Sequence, residues 1–148
     1  LAPDVGSANM SQSYAKKLNL NFALIDKRRP AKNQVEVVNL VGDLNKKHVL
    51  IIDDMIDTAG TLCNAAETAH KEGAKSVIAI ATHPVLSGKA ISRLQNAPIS
   101  KVIICDTIKL EKDKLFDKLE IVSIAGVFGE SIKRIVEGTS LSSLFKGF

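Results

Sequence analysis

Aromatic side chains are scarce in this 148-residue chain: they make up 4% of it, with one tyrosine and no tryptophan. A surface that stacks successive nucleobases is therefore not expected. Cysteine is nearly absent too. Cys63 and Cys105 lie far apart and show no Cys-x-x-Cys spacing. Neither a disulfide framework nor a zinc site follows from such a pair, and two ordinary buried thiols in a reducing cytoplasm are expected. No apolar run approaches the roughly eighteen residues of a membrane helix. The start carries no signal-peptide pattern. Walker A and Gly-x-Gly-x-x-Gly patterns are missing, which excludes a P-loop and a dinucleotide fingerprint. Charge of one sign does not dominate: 20 basic against 16 acidic residues give +4. Apart from Lys27-Arg28-Arg29 the basic residues are dispersed, so nucleic-acid binding is not expected, while a small phosphorylated ligand is compatible.

What is present suits one domain spanning 1–148 around one core: 45% hydrophobic and 24% charged residues, without internal repeat or low-complexity tract. Short apolar runs alternate with helical patterns. The runs are 22–25, 35–41, 48–53, 76–82, 101–105 and 119–124. Several lack polar alternation, as parallel strands buried on both faces do. In 60–73, Leu62, Ala65, Ala66 and Ala69 share one helix face, and Gly73 supplies a stop. In 125–137, Phe128, Ile132, Ile135 and Val136 form a similar stripe ahead of Gly138. Weaker helices are expected over 8–18 and 89–94, and a mobile loop over 28–34. This alternation predicts an α/β fold, a parallel sheet flanked by helices. Leu1 is not Met, and "LAPD" reads as the end of a strand already under way, so residues are expected upstream.

The informative stretch is "VLIIDDMIDTAGT", residues 49–61. In an open α/β sheet, ligands sit beyond the carboxyl ends of the strands. Asp53 and Asp54 are placed where a buried strand finishes, and Asp57 to Gly60 open a helix. Its free N–H groups and dipole favour an anion. Thr58 and Thr61 add hydroxyls, and Gly60 lets the backbone approach a phosphate. Acids beside a phosphate repel it unless they bind something else, such as sugar hydroxyls or a divalent cation. A single capping Asp would need no ligand; three acids in this order call for one. The local chemistry points to a phosphorylated sugar.

The same stretch resembles the phosphoribosyl pyrophosphate (PRPP) motif of PRPP synthetases and type I phosphoribosyltransferases. "IDKRRP" (25–30), "VGD" (41–43), "ATHPVLSG" (81–88) and "SLSSLF" (140–145) resemble class I PRPP synthetase, or ribose-phosphate pyrophosphokinase. The resemblance runs from residue 2 to 145 and corresponds to the C-terminal half of that family, without the N-terminal half that holds most of its ATP site. It implies a type I phosphoribosyltransferase-like fold and a nucleotide-biosynthetic transferase: ATP and ribose 5-phosphate give AMP and PRPP. By similarity, Asp57, Thr58, Ala59, Gly60 and Thr61 cradle the 5-phosphate, and Asp53 with Asp54 holds the ribose hydroxyls. Asp4 matches a magnesium-binding aspartate, so Mg²⁺ is the implied cofactor. Lys27 and Arg29 match a catalytic basic pair, Arg29 also facing the sugar phosphate, with 30–34 as a closing lid. Ser140 and Ser142 match a tail that binds phosphate or ADP as effectors. The family implies a cytoplasmic homo-oligomer, commonly a hexamer.

One departure stands out. Ser7 replaces the second glycine of the family's Asp-x-Gly-Gly turn, and Met10 stands near its arginine. Two rival readings remain at this point: a type I phosphoribosyltransferase, which would not carry "IDKRRP" or "THPVLSG", and a non-catalytic regulatory paralogue. His83 follows a strand end and is expected near the ligand-facing edge. His48 and His70 are expected at an edge and on a helix surface.

Overall fold

Uninterrupted apolar runs do form a parallel ladder. The computed structural model describes residues 1–28 and 37–145. In chain order these hold α1 (Ala8–Lys17), β1 (Leu24–Arg28), β2 (Val37–Val41), β3 (His48–Ile56), α2 (Gly60–Lys71), β4 (Ser76–Pro84), α3 (Ala90–Asn96), β5 (Lys101–Cys105), β6 (Leu119–Val122) and α4 (Ala125–Val136). Strands β3-β4-β5-β6 lie side by side in that order, all parallel. Helices α2 and α3 fill the first two crossovers, and the third holds only a short 3-10 turn at Lys112–Lys114. Ile51 pairs with Ala79 and Ala79 with Val102 across the ladder. All three side chains are sealed from solvent. Each large aliphatic so buried contributes roughly 1.5–3 kcal/mol.

The α2 stripe packs as its spacing predicts: Leu62, Ala65, Ala66 and Ala69 are buried, and Cys63 joins them. Small side chains let the helix approach the sheet closely. Burial drives the Cys63 thiol up to about 11, so it stays protonated and inert near neutrality. Cys63 and Cys105 are both free. The turn after α2 uses Gly73 at φ +81.

Lys118 closes the end of α3. Its ammonium donates to the carbonyls of Gln95 (2.7 Å), Ala97 (2.9 Å) and Leu94 (3.4 Å). A cation is favoured there by the unsatisfied carbonyls and the helix dipole.

Three expectations are corrected. The runs 22–25 and 35–41 do not join the parallel sheet, although Ala23 and Ile25 are buried in the core. Residues 24–28 and 37–41 pair antiparallel in a separate two-stranded sheet, and Val41 is 57% exposed. A stretch of β-branched residues satisfies either environment, so pattern alone did not separate them. Next, β3 runs past its expected end at 53 to Ile56, so Asp53 and Asp54 lie within the strand near its carboxyl end. The ladder persists because Met55 and Ile56 pair with His83 and Pro84. Finally, the α4 stripe does not face this core. Phe128, Ile132, Ile135 and Val136 are 60%, 60%, 64% and 82% exposed. Amphipathic spacing predicts a helix and an apolar face; it does not say what that face meets.

Among the described residues no helix is long and apolar enough to cross a membrane. His48 and His70 are exposed, as expected, and His48 Nδ1 lies 2.7 Å from Ser76 Oγ.

Candidate functional site

The first four residues reach the carboxyl end of β3 because they are stitched to the hairpin. Ala2 N–H donates to Ala23 O at 2.8 Å, and Ile25 N–H returns a bond to Ala2 O at 3.1 Å. Asp4 is thereby carried to the head of α1. Its Oδ1 accepts the Ser7 N–H at 3.0 Å, and its carbonyl accepts the Ser7 hydroxyl at 3.1 Å. Ser7 sits at φ −87, ψ 0, on the negative-φ side where glycine is not needed. The backbone of this turn therefore does not require a second glycine. The serine changes its chemistry instead, because the hydroxyl is spent on the Asp4 carbonyl.

Asp4, Gly6, Ser7, Met10, Asp53 and Asp54 line a cleft of about 320 Å³. The structure thus brings together the aspartates at 4, 53 and 54, which are far apart in sequence. Partial burial raises the Asp53 carboxyl above its ordinary range, and the charges of Asp54 and Asp4 add to the rise. The Asp54 N–H, donating to Asp53 Oδ1 at 3.0 Å, opposes it only in part. Such a cleft gains from a hydroxyl donor or a cation. Among the described residues no group of three or more His, Cys, Asp or Glu forms a ready metal cage. Hard oxygen donors in small number suit Mg²⁺, which is commonly held by one or two carboxylates plus substrate phosphates.

A second subsite adjoins the first. After Ile56 the chain turns through Asp57 and Thr58 into Ala59, which is left-handed at φ 60, ψ 11, and α2 begins at Gly60. The helix N-terminus carries no side-chain cap, so its first N–H groups remain available to an anion. A Cβ on Gly60 would come no closer than 3.8 Å to Thr58 Oγ1 and 3.9 Å to Arg93 Nη1. The protein's own packing therefore leaves room at Gly60 that it does not fill. Asp57 points its Oδ1 at the donating Ser87 hydroxyl. Arg93 Nη1 donates to Thr58 O at 2.8 Å.

The profile of the phosphoribosyl synthetase-associated domain matches residues 27–146. The chain belongs to that family. It is similar to the ribose-phosphate pyrophosphokinase of Clostridium acetobutylicum, 47% identical over 99% of this chain and 46% of that protein. The enzyme of the same name from Caldanaerobacter subterraneus subsp. tengcongensis is 50% identical over 98% of this chain and 46% of its own length. The crystal structure of phosphoribosylpyrophosphate synthetase from Mycobacterium smegmatis superposes with a TM-score of 0.86 at 35% identity. It covers 93% of this chain and 44% of that one. The chain thus spans less than half the length of the relatives it matches, and the parallel sheet with flanking helices is their fold.

In this member of the family, Asp53 and Asp54 lie near the carboxyl end of β3, and residues 57–61 form the turn into α2 and its first residues. Lys27 lies in β1, in register with Val38. Arg29 and the expected lid at 30–34 lie outside the described residues. Ser140 and Ser142 belong to a turn tied to α4: Arg134 Nη1 donates to Ser140 O at 3.0 Å, and Ser142 N–H donates to Ser140 Oγ at 3.2 Å. His83 is at the carboxyl end of β4, as expected, its Nδ1 3.0 Å from Thr107 Oγ1. Sequence reasoning missed Ser87 and Arg93 as partners of the 57–59 turn. The signal available was "VLSG" itself, since Ser87 lies in it, but nothing in the string says which strand end it meets.

Proposed function

We propose that this chain forms the ribose 5-phosphate and PRPP site of a ribose-phosphate pyrophosphokinase. The observation that carries the reading is the uncapped, outward-facing start of α2 beside the Asp4–Asp53–Asp54 cleft. One subsite suits a phosphate and the other suits hydroxyls or a hydrated cation.

In this reading Asp57, Thr58, Ala59, Gly60 and Thr61 bind the 5-phosphate through N–H and hydroxyl donors. Asp53 and Asp54 accept from the ribose hydroxyls and orient the anomeric oxygen. That oxygen attacks the β-phosphorus of ATP and loses its proton. The bond from the β-phosphorus to the α,β-bridging oxygen breaks, and AMP departs. Lys27 and Arg29 stabilise the charge on the group in transit, Lys27 as a point charge and Arg29 with a planar fork that also suits the sugar phosphate. The residues around Asp4 fit Mg²⁺, which when bound would neutralise phosphate charge. A homo-oligomer such as a hexamer, phosphate or ADP acting at Ser140 and Ser142, and a cytoplasmic location belong to the same proposal. The relatives' names support the pyrophosphokinase activity alone.

A regulatory, non-catalytic reading has two observations in its favour. The Ser7 hydroxyl is engaged with Asp4, and Met10 offers the cleft no cation. The decisive assay is AMP formation from ATP and ribose 5-phosphate, with Mg²⁺ and phosphate, by the complete gene product. AMP in step with PRPP supports the synthetase. Its absence from a folded protein that still binds ribose 5-phosphate supports the regulatory reading. Replacing both Thr58 and Thr61 with alanine removes two hydroxyl donors and should weaken ribose 5-phosphate binding; unchanged binding would remove the 57–61 assignment.

A further inference from the structure

The turn after β3 is shaped by what lies behind it. Three successive carbonyls accept donors from the segment 86–93. Ile56 O takes the Leu86 N–H at 3.0 Å and Asp57 O takes the Ser87 N–H at 3.0 Å. Thr58 O takes Arg93 Nη1 at 2.8 Å. In a planar trans peptide the carbonyl and the next N–H point opposite ways. Anchoring these carbonyls inward therefore aims the N–H groups of Asp57, Thr58 and Ala59 away from that segment. The left-handed Ala59 then brings the free N–H groups of α2 alongside them. Successive N–H groups around such a bend form an anion-binding concavity.

This arrangement needs external support. An alanine in the left-handed region costs roughly 1–2 kcal/mol, and no cap side chain fixes the turn. Of the three donors, only Arg93 is a side chain, and only it carries charge. Its guanidinium also lies alongside Gly60, 3.9 Å from where a Cβ would stand. The Asp57 carboxylate, which would repel a phosphate, is held by the Ser87 hydroxyl.

We infer that Arg93 is a positioning residue for the phosphate loop, its bond to the Thr58 carbonyl presetting the N–H groups that receive the anion, with Ser87 restraining Asp57. The inference rests on the reading of 57–61 as the phosphate subsite. It adds residues of α3 and of the segment before it to a site otherwise built from β3 and α2.

The test is ribose 5-phosphate titration of the full chain by calorimetry, and by amide NMR at Thr58, Ala59 and Gly60. Wild type, Arg93→Gln, Arg93→Lys and Ser87→Ala would be compared after circular dichroism confirms their fold. Arg93→Gln should weaken binding by roughly three- to tenfold, the worth of an exposed hydrogen bond. It should also shrink the ligand-induced shifts of the Thr58 and Ala59 amides at saturation, which a loss of general stability would not do. Arg93→Lys should recover part of both. Arg93→Gln binding as wild type does, with the same amide shifts, would overturn the positioning role and leave the phosphate site standing. So would Arg93→Lys behaving no better than Arg93→Gln. Wild type failing to bind ribose 5-phosphate would instead overturn the site reading itself.

Discussion

Replacing Gly60 with alanine should separate stability from binding, in opposite directions. Gly60 is the first residue of α2, a position where alanine is preferred over glycine. Its φ is not in the left-handed region, and an added methyl would meet only ordinary contacts at 3.8 and 3.9 Å. The substitution should therefore stabilise the unliganded fold by about 0.4–1 kcal/mol, largely by restricting the unfolded chain. For a chain of this size that raises the unfolding midpoint by roughly 1–4 °C. Gly42 makes the contrast. It sits at φ +111, and a Cβ there would lie 2.8 Å from Ala23 Cβ. Gly42→Ala should cost about 2–4 kcal/mol through strain and overlap. If a phosphate rests against the α2 N-terminus, the Gly60→Ala methyl pushes it off one or two charge-assisted hydrogen bonds. Each is worth roughly 1.5–3 kcal/mol, so affinity should fall about ten- to a hundredfold or more. Thermal melts and ribose 5-phosphate calorimetry on the same samples read both effects. A Gly60→Ala chain that melts higher and binds undiminished would show that the phosphate does not sit there.

Three further outcomes are expected. Because the Asp53 carboxyl is raised in the fold, the folded state holds extra proton between the ordinary aspartate value and the raised one, and stability falls as pH rises through that window. Asp53→Asn should be the more stable form above the window, by less than about 1 kcal/mol for a group only partly buried, and equal to wild type below it; urea midpoints across acid pH check this. Lys27→Ala in the complete gene product should lower kcat far more than it raises KM for ribose 5-phosphate, and equal losses would point to a binding role. Lys118→Met strips the carbonyls at the end of α3 of their cation and should cost about 1–2 kcal/mol, seen as a midpoint lower by roughly 2–8 °C.

Much of this molecule was legible before any coordinates. The runs at 48, 76, 101 and 119 and the stripe Leu62–Ala69 follow from short-range rules of burial and period, which act within a few residues. The acids of 53–57 and the small residues after them marked a strand end whose chemistry does not serve packing. Those features depend on local chemistry, and a single stretch of sequence contains it all.

Other facts required the chain to fold back on itself. That 24–28 and 37–41 pair with each other, antiparallel and apart from the main sheet, depends on a partner choice their composition does not encode. The α4 stripe was visible as a stripe, but only packing reveals that this core leaves it uncovered. Asp4 meets Asp53 across nearly fifty residues of sequence because Ala2 bridges to Leu24, and their mutual repulsion exists only once they meet. Arg93 stands 35 residues beyond the carbonyl it holds. The sequence by itself determined which residues could carry the chemistry. The tertiary structure decided which of them face one another, because the fields and hydrogen bonds of a site are set by distances through space, and those are fixed only by the packed sheet.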